Sequence, residues 1–161
     1  MDEATRRDTR LRNYQAETTE ALERLKFTVA LVQSGIQGLT LINGGALVAL
    51  FALVGAVSDR SAVKLDPSML WLAFAAFAGG LALTMLANLG AFLSQNAFYV
   101  VATWQAWNYQ DLIEGKTPSR DVAATHRRGE QAQYAGTAAA VFALVAFVIG
   151  CGFALRGVMP S

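Results

Sequence analysis

Residues 67–110 read PSMLWLAFAAFAGGLALTMLANLGAFLSQNAFYVVATWQAWNYQ and contain no Asp, Glu, Lys, Arg or His. Two further runs, 27–58 and 131–155, also lack these residues. The three runs are 44, 32 and 25 residues long, so all 25 Lys, Arg, Asp and Glu residues fall in the other 60 positions. A soluble domain spreads its charge along every surface helix. The distribution therefore excludes an ordinary soluble fold and indicates three membrane spans.

The longest run is interpreted as one helix rather than as two short spans joined by a turn. Its second part, 94–110, is rich in Ser, Gln, Asn and Thr, and no Gly or Pro lies between Phe92 and Gln110 to form a hairpin. One face of this helix carries Leu93, Ala97, Val100, Trp104 and Trp107 at spacings of three and four. We therefore expect the helix to leave the membrane and continue into water.

The sequence predicts an all-α integral membrane protein that forms a single domain over 1–161, with three transmembrane helices. The predicted segments are a cytoplasmic helix 1–33 leading into span 1 (36–57), a helix 68–114 made of span 2 (69–93) and an extension (94–114), and a helix 118–157 that contains span 3 (135–155). Asp66-Pro67 and Thr117-Pro118 are each predicted to cap and start a helix. We expect the cytoplasmic segments 8–33, 96–114 and 118–133 to form a small helical bundle.

Lys and Arg are distributed unequally across the predicted membrane. Segments 1–26 and 111–130 hold ten of them, whereas the loop 58–66 and the C-terminus hold three. The positive-inside rule then predicts a cytoplasmic N-terminus and a periplasmic or extracellular C-terminus. Arg outnumbers Lys ten to three, and Ala and Gly are heavily used. This composition resembles that of GC-rich bacteria and suggests a bacterial inner (plasma) membrane.

Neutral polar residues form two stripes within the predicted spans. The first stripe carries Gln33, Gln37, Thr40 and Gly44, with Asn43 to one side; the second carries Thr84, Asn88 and Gln95. Three interpretations stay open. The stripes face each other and hold the first two helices together by hydrogen bonds, they line a water-filled path between subunits, or they form a site for a partner helix or lipid. The spans contain no charged residue, which argues against proton relays and ion-coupled transport.

Small residues recur at four-residue spacing in the third span. One ridge carries Ala132, Gly136 and Ala140, and another carries Ala146, Gly150 and Ala154. Such ridges let helix backbones approach closely in lipid. There are more of them than three helices need for their own packing, so the sequence predicts a homo-oligomer or a membrane-protein partner.

Catalytic chemistry finds little support in the residues. The chain has one histidine, His126, and one cysteine, Cys151, predicted on opposite sides of the membrane, so we expect no catalytic set, no metal site and no cofactor. A net charge of +1 gives no case for nucleic acid. Arg120-Asp121 through His126 resembles the R-D-x4-H motif of HEPN ribonucleases, although the chain is too short for their four-helix domain. The alternative is a solvated helix face near lipid headgroups.

The segment Leu39–Leu47, LTLINGGAL, is similar to an L-x-L-I-N-G-G-A segment of small uncharacterised bacterial membrane proteins. It covers nine residues, and the resemblance implies no activity. It implies only that Asn43-Gly44-Gly45 is a packing device, in which glycine admits another backbone and the Asn43 amide bonds across.

The leading functional prediction is a non-enzymatic integral membrane protein, an oligomeric scaffold or accessory subunit. It would bind a partner through its cytoplasmic helices, with Trp104 and Trp107 as the docking residues. The alternative is a small oligomeric pore or membrane-disrupting effector, holin-like or defence-associated, whose lumen is lined by the two polar stripes. A weaker third interpretation is a membrane-tethered nuclease acting through Arg120 and His126.

Overall fold

The computed structural model describes residues 3–57, 63–113, 115–117 and 120–160. Within these ranges the chain forms three long helices, α1 (Glu3–Val57), α2 (Pro67–Ile113) and α3 (Val122–Gly157), and two three-residue strands, β1 (Val63–Leu65) and β2 (Val158–Pro160). The predicted all-α class is confirmed, and run 67–110 lies within a single helix. Each helix contains a segment long and apolar enough to cross a membrane: Val29–Ala56, Pro67–Gln105 and Val122–Gly157.

The chain divides into two compact units after Gly35. The described part of the first unit, 3–35, is an uninterrupted helix and forms the first part of α1. The second unit contains the rest of α1 together with α2, α3 and the strands. The bundle predicted from 8–33, 96–114 and 118–133 draws on both units and stays a prediction.

Asp66 starts α2 as predicted, with Pro67 as the first helical residue. One carboxylate oxygen of Asp66 accepts hydrogen bonds from the backbone N–H groups of Ser68 (2.9 Å) and Met69 (3.4 Å) and from the Ser68 hydroxyl. These bonds satisfy donors that the first helical turn leaves free. They lower the pKa of the Asp66 carboxyl, the Ser68 hydroxyl being the largest cause and the Met69 N–H the next.

The segment before Asp66 differs from the predicted loop. β1 pairs with β2 in an antiparallel ribbon that sets Val63 opposite Pro160 and Leu65 opposite Val158. The Asp66 N–H continues the ribbon by donating to the Gly157 carbonyl at 2.9 Å. Residues 58–62 of the loop lie outside the described residues. The ribbon joins the start of α2 to the end of α3, a non-local pairing that a local pattern does not reveal.

The α2–α3 turn also differs from the prediction in its second half. Gly115 has a φ of +72°, and the Lys116 N–H donates to the Asp111 carbonyl at 2.7 Å, the glycine-based motif that commonly ends a helix. α3 begins at Val122 rather than at Pro118, and its cap is Asp121 rather than Thr117. The reason is local, because the Asp121 carboxylate accepts from the Ala124 N–H at 3.1 Å.

α3 packs along α2 through a seam of small residues spaced by seven. The buried residues of α3 are Gly129, Gly136, Ala143, Gly150 and Gly157. Seven residues make two turns of a gently supercoiled helix, so the five positions share one face. The seam extends over 28 residues of the helix, roughly 42 Å at about 1.5 Å per residue.

The seam has one antiparallel register from end to end. A Cβ atom at Gly157 would lie 2.8 Å from a Leu70 methyl, and one at Gly150 would lie 2.6 Å from the Phe77 ring. Further along, a Cβ at Gly90 would lie 2.7 Å from the Gly136 Cα. A side chain at Gly90 would overlap backbone atoms, one at Gly150 would overlap the Phe77 ring, and one at Gly157 would displace the Leu70 side chain. In lipid, such close approach supplies the dispersion contacts that hold helices together.

The second part of α1 joins this pair mainly at the ribbon end. Leu50 is buried together with Leu70, Ala73 and Phe77 of α2, and this cluster is the apolar core of the second unit. Phe51 makes an edge-to-face contact with Phe74, with 5.3 Å between the ring centroids. Among the described residues of α1 before Asn43, none is buried.

Candidate functional site

Asn43 is the most deeply enclosed polar side chain in the described part of the chain, with 0% of its surface exposed. Its Nδ2 donates to the Leu39 carbonyl of the same helix at 3.0 Å. Its Oδ1 has no hydrogen-bond partner among the described residues and lies against Gly80 of α2, where any side chain would overlap it. Gly80 therefore provides the notch that seats the Asn43 amide.

With the predicted span 2 (69–93) in the bilayer, the α2–α3 register would put this contact near the middle of the hydrocarbon core. Gly157 lies beside Leu70 and Gly150 beside Phe77, so Arg156 is level with Trp71 and Tyr134 with Leu93. Those two levels are 22 residues apart, roughly 33 Å, which matches a hydrocarbon core of about 30 Å. Gly80 lies within two residues of the midpoint between Trp71 and Leu93. A polar atom without a partner at this depth is costly.

The first predicted polar stripe lies mostly on the surface. Gln33, Gln37 and Thr40 are exposed, and Gly44 is half-buried. The Thr40 hydroxyl donates to the Ile36 carbonyl of its own helix at 3.0 Å, which satisfies it without a partner helix. Only Asn43, which lies to one side of the stripe, is buried.

The second stripe divides in the same way. Thr84 is 1% exposed and donates its hydroxyl to the Gly80 carbonyl at 2.8 Å. Asn88 and Gln95 are exposed. Asn43 and Thr84 thus both contact Gly80, the first with its amide and the second with its hydroxyl. The structure does not pack the remaining amides against each other within the described residues.

The glycine pair after Asn43 behaves differently from the expectation drawn from the LTLINGGAL segment. A Cβ atom at Gly44 or Gly45 would meet nothing within 4 Å among the described neighbours. The glycine that admits a close neighbour is Gly80, on the other helix. The Asn43 amide bonds to its own backbone and packs across without a hydrogen bond.

The outward face of α1 is a second surface feature, which the polar stripes and the four-residue ridges of the sequence did not predict. Its small residues are spaced by seven and alternate with larger ones, in the order Gly38, Leu41, Gly45, Val48 and Ala52. All five are exposed, Leu41 by 75% and Val48 by 70%. The face points away from Asn43 and Leu50, since positions seven apart share a face and these two lie about half a turn away. We call these five residues the outward face.

An apolar groove of about 260 Å³ lies at the ribbon end, between the last turns of α1 and the first turns of α2. Leu50, Val54, Trp71 and Phe74 are among its lining residues, and all the lining residues are apolar. Trp71 makes an edge-to-face contact with Phe74, with 5.5 Å between the ring centroids. The groove has no side chain that could bind an ion or act as an acid or base.

The predicted docking residues Trp104 and Trp107 lie near the α2–α3 turn. Trp104 is half-buried, whereas Trp107 is 47% exposed and has the Arg120 guanidinium 4.8 Å from its ring centroid. The same guanidinium forms an ion pair with Asp111, with 2.8 Å between Nη1 and Oδ2. Arg120 therefore ties the start of α3 to the end of α2.

The residues of the R-D-x4-H pattern each have a local contact. Arg120 is engaged by Asp111 and Trp107, and Asp121 caps α3. The His126 ring packs on Phe98 at 5.4 Å, and its Nδ1 lies 3.6 Å from a carboxylate oxygen of Glu130. Each of the three residues therefore has a structural role in the packing or capping of the helices. The nuclease interpretation gains no support from them.

Comparison of the chain with family models, curated proteins and solved structures found no match. The class of protein follows from the helices themselves. Apart from the short ribbon, the described residues are helical, and three helices are long and apolar enough to span a bilayer, which indicates a membrane protein.

Small residues at four-residue spacing predict neither the seam nor the outward face, because both repeat every seven residues. Spacing by seven is visible in the sequence from Gly129 to Gly157 and again from Gly38 to Ala52. The same spacing is buried in α3 and exposed in α1. That difference could not be predicted, because a pattern identifies a face without specifying what covers it.

Proposed function

We propose that the protein is a non-enzymatic, homo-oligomeric membrane scaffold that assembles through the outward face of α1. The observation that carries this proposal is the exposure of a face with glycines at Gly38 and Gly45. Lipid tails are as apolar as leucine, so such a face gains little from lipid and more from close packing with another helix. The alternation of small and large residues makes the face complementary to a copy of itself.

The seam within the protomer supports this interpretation by analogy. There, small residues spaced by seven accept Leu70 and Phe77 of α2. In an assembly, Leu41 and Val48 of one copy would enter the spaces beside Gly45 and Ala52 of another. A symmetric pair of this kind is the commonest form of homo-oligomer.

The proposed orientation has the N-terminus and the α2–α3 turn in the cytoplasm of a bacterial inner membrane. Lys and Arg number ten in segments 1–26 and 111–130 and three at the other end. The cytoplasmic extensions would then be the part of α1 before the span, the part of α2 after Leu93 and the part of α3 before Tyr134. The exposed ring of Trp107, stacked by Arg120, is the surface that we propose for a protein partner.

A pore is the second candidate, and the exposed amides favour it. Gln37, Asn88 and Gln95 are exposed and form no hydrogen bond within the described structure. In an oligomer these amides would face either a neighbouring subunit or a water-filled lumen. Asn43 and Thr84 are buried inside the protomer, so a lumen would depend on Gln37 and Asn88.

The test is the oligomeric state of the full-length protein in detergent and in nanodiscs. We expect the wild type to form an oligomer. Gly45→Leu should weaken its association by roughly tenfold or more, because the new side chain blocks the close approach of two helices. Gly152→Leu is the matched control, since Gly152 is also exposed with open space around it. A wild-type monomer at all concentrations, or equal effects of both variants, would refute assembly through this face.

The pore is tested separately by ion flux in liposomes. The pore predicts a flux that falls on Asn88→Leu while the oligomer persists. The scaffold predicts no flux above that of empty liposomes.

A further inference from the structure

Arg127 and Arg128 are two adjacent, exposed guanidinium groups at the start of α3. No acidic residue lies three or four positions from Arg128 on the helix. Glu130 lies three positions from Arg127, but the structure pairs it with His126. The two guanidinium groups are therefore exposed and have no ion-pair partner among the described residues.

The packing of α3 fixes the direction of this charge. Gly129, the next residue, is buried against Ala97 and the Phe98 ring, and a Cβ atom there would lie 2.9 Å from that ring. Because Gly129 faces α2, Arg127, two residues before it, lies on the opposite side of α3, and Arg128 lies on the flank between that side and the seam. By the register of the seam, Arg128 is level with Tyr99, about six residues outside Leu93 and so just beyond the hydrocarbon core.

The face of α3 that contains Arg127 becomes apolar towards the C-terminal end of the helix. Seven-residue steps from Arg127 lead to Tyr134, Val141, Val148 and Leu155, which are exposed by 74%, 56%, 63% and 78%. Each step moves roughly 10 Å along the helix. A guanidinium, a tyrosine and an apolar track therefore follow one another from the predicted membrane surface towards its far side.

We propose that this face, defined by Arg127, Arg128, Tyr134, Val141 and Val148, binds an anionic phospholipid. The guanidinium groups would hold the headgroup phosphate through charge-assisted hydrogen bonds. The Tyr134 hydroxyl lies where the headgroup meets the acyl chains, a level at which tyrosine is favoured. One acyl chain would run along Val141 and Val148. A lipid explains the basic and the apolar parts of the face together, whereas free phosphate explains only the first.

The site does not depend on assembly through α1, because it lies on α3 of a single protomer. The contribution of the two arginines to the lipid affinity can be stated as a fold-change. Each basic residue near a membrane surface contributes roughly fivefold to the binding of anionic lipid at moderate salt. Loss of both arginines should weaken binding by about 25-fold, and added salt should reduce the wild-type affinity.

The experiment is lipid retention by the full-length protein in a neutral detergent, measured by native mass spectrometry. The probes are dioleoylphosphatidylglycerol, dioleoylphosphatidylcholine and inorganic phosphate. The variants are the double substitution Arg127→Gln with Arg128→Gln and the control Arg156→Gln, which removes an exposed arginine at the other end of α3. Circular dichroism and size-exclusion chromatography verify that each variant is folded.

We expect the wild type and Arg156→Gln to retain phosphatidylglycerol in preference to phosphatidylcholine, and the double variant to lose that preference. Equal retention of the two lipids by the wild type would overturn the proposal. So would an unchanged double variant, or an equal loss in Arg156→Gln. Displacement of phosphatidylglycerol by an equal concentration of inorganic phosphate would overturn the lipid as the ligand.

Discussion

Asn43 and Gly80 are matched by size rather than by a hydrogen bond between them. The Asn43 amide is buried with its Oδ1 unpartnered, and the absence of a side chain at Gly80 gives it room. A neutral amide avoids the cost of a charge at this depth, although its unpartnered oxygen is still costly to bury. The pair therefore sets where α1 crosses α2, because a shift of either helix would bring the amide against a Cβ atom.

Gly80→Ala tests this match. The new methyl would overlap the Asn43 amide, so we expect a loss of about 1–3 kcal/mol in the free energy of unfolding, measured by thermal or denaturant unfolding in detergent. Gly79→Ala is the control, because a Cβ atom there meets nothing within 4 Å. Asn43→Ala should restore much of the loss when it is combined with Gly80→Ala. Equal effects of Gly79→Ala and Gly80→Ala would contradict the size match.

Asp66, at the start of α2, makes a pH-dependent contribution to the free energy of unfolding. Hydrogen bonds from Ser68 and Met69 lower the pKa of the carboxyl, so the folded state favours the ionised form. The contribution is present above the ordinary aspartate pKa and disappears as the pH falls through the lowered pKa of the folded protein.

The measurement for Asp66 is the thermal midpoint between pH 7 and pH 3. Asp66→Asn keeps a capping side chain that does not titrate. We expect the wild type to lose more stability than Asp66→Asn over this interval, because other acids titrate equally in both proteins. Parallel curves for the two proteins would rule out a titrating cap.

At the scale of elements, the α2–α3 hairpin is held by a seam of small residues and by contacts at both ends. The ribbon of β1 and β2 joins it at one end, and the contacts of Arg120 with Asp111 and Trp107 join it at the other. The register of the seam also relates the charged start of α3 to its depth along α2. In this register the uncharged residues of α2 beyond Leu93 lie level with charged residues of α3, as Tyr99 does with Arg128.

Gly90→Ala tests the seam where the two backbones are closest. The new Cβ atom would lie 2.7 Å from the Gly136 Cα and 2.9 Å from the Ala132 carbonyl oxygen. Backbone atoms cannot rotate away, so we expect about 3 kcal/mol of destabilisation, at the upper end of overpacking effects. Gly152→Ala is the control on an open part of α3. Limited proteolysis measures the effect. We expect cleavage within the α2–α3 hairpin of Gly90→Ala and none in the wild type or in Gly152→Ala.

At the scale of the whole molecule, membrane spans in α2 and α3 would put the turn end and the ribbon end of the hairpin on opposite sides of the membrane. Thr117 lies at the turn end and Arg156 near the ribbon end, and both are exposed. The excess of Lys and Arg at the turn end predicts that this end is cytoplasmic.

Cysteine labelling in intact cells tests the orientation. In a Cys151→Ala background, we expect a membrane-impermeant maleimide to label Arg156→Cys in intact spheroplasts and Thr117→Cys only after lysis. The reverse pattern would invert the proposed topology. Labelling of both positions without lysis would contradict the three spans.

The sequence alone determined the class of fold, because charge cannot be placed in a bilayer without a large free-energy cost. The three uncharged runs therefore predicted the three helices, and the absence of Gly and Pro over 93–110 predicted that α2 has no turn. Asp66-Pro67 predicted the start of α2, because an N-cap is a local interaction.

Only the tertiary structure decided which faces are covered. The sequence cannot distinguish the buried series Gly129–Gly157 from the exposed series Gly38–Ala52, since both have small residues seven apart. It also could not predict that Asn43 meets Gly80, or that Val63–Leu65 pairs with Val158–Pro160, because these partners are far apart in the chain. Burial depends on which helices meet and in what register, and these are properties of the packed chain rather than of any one segment.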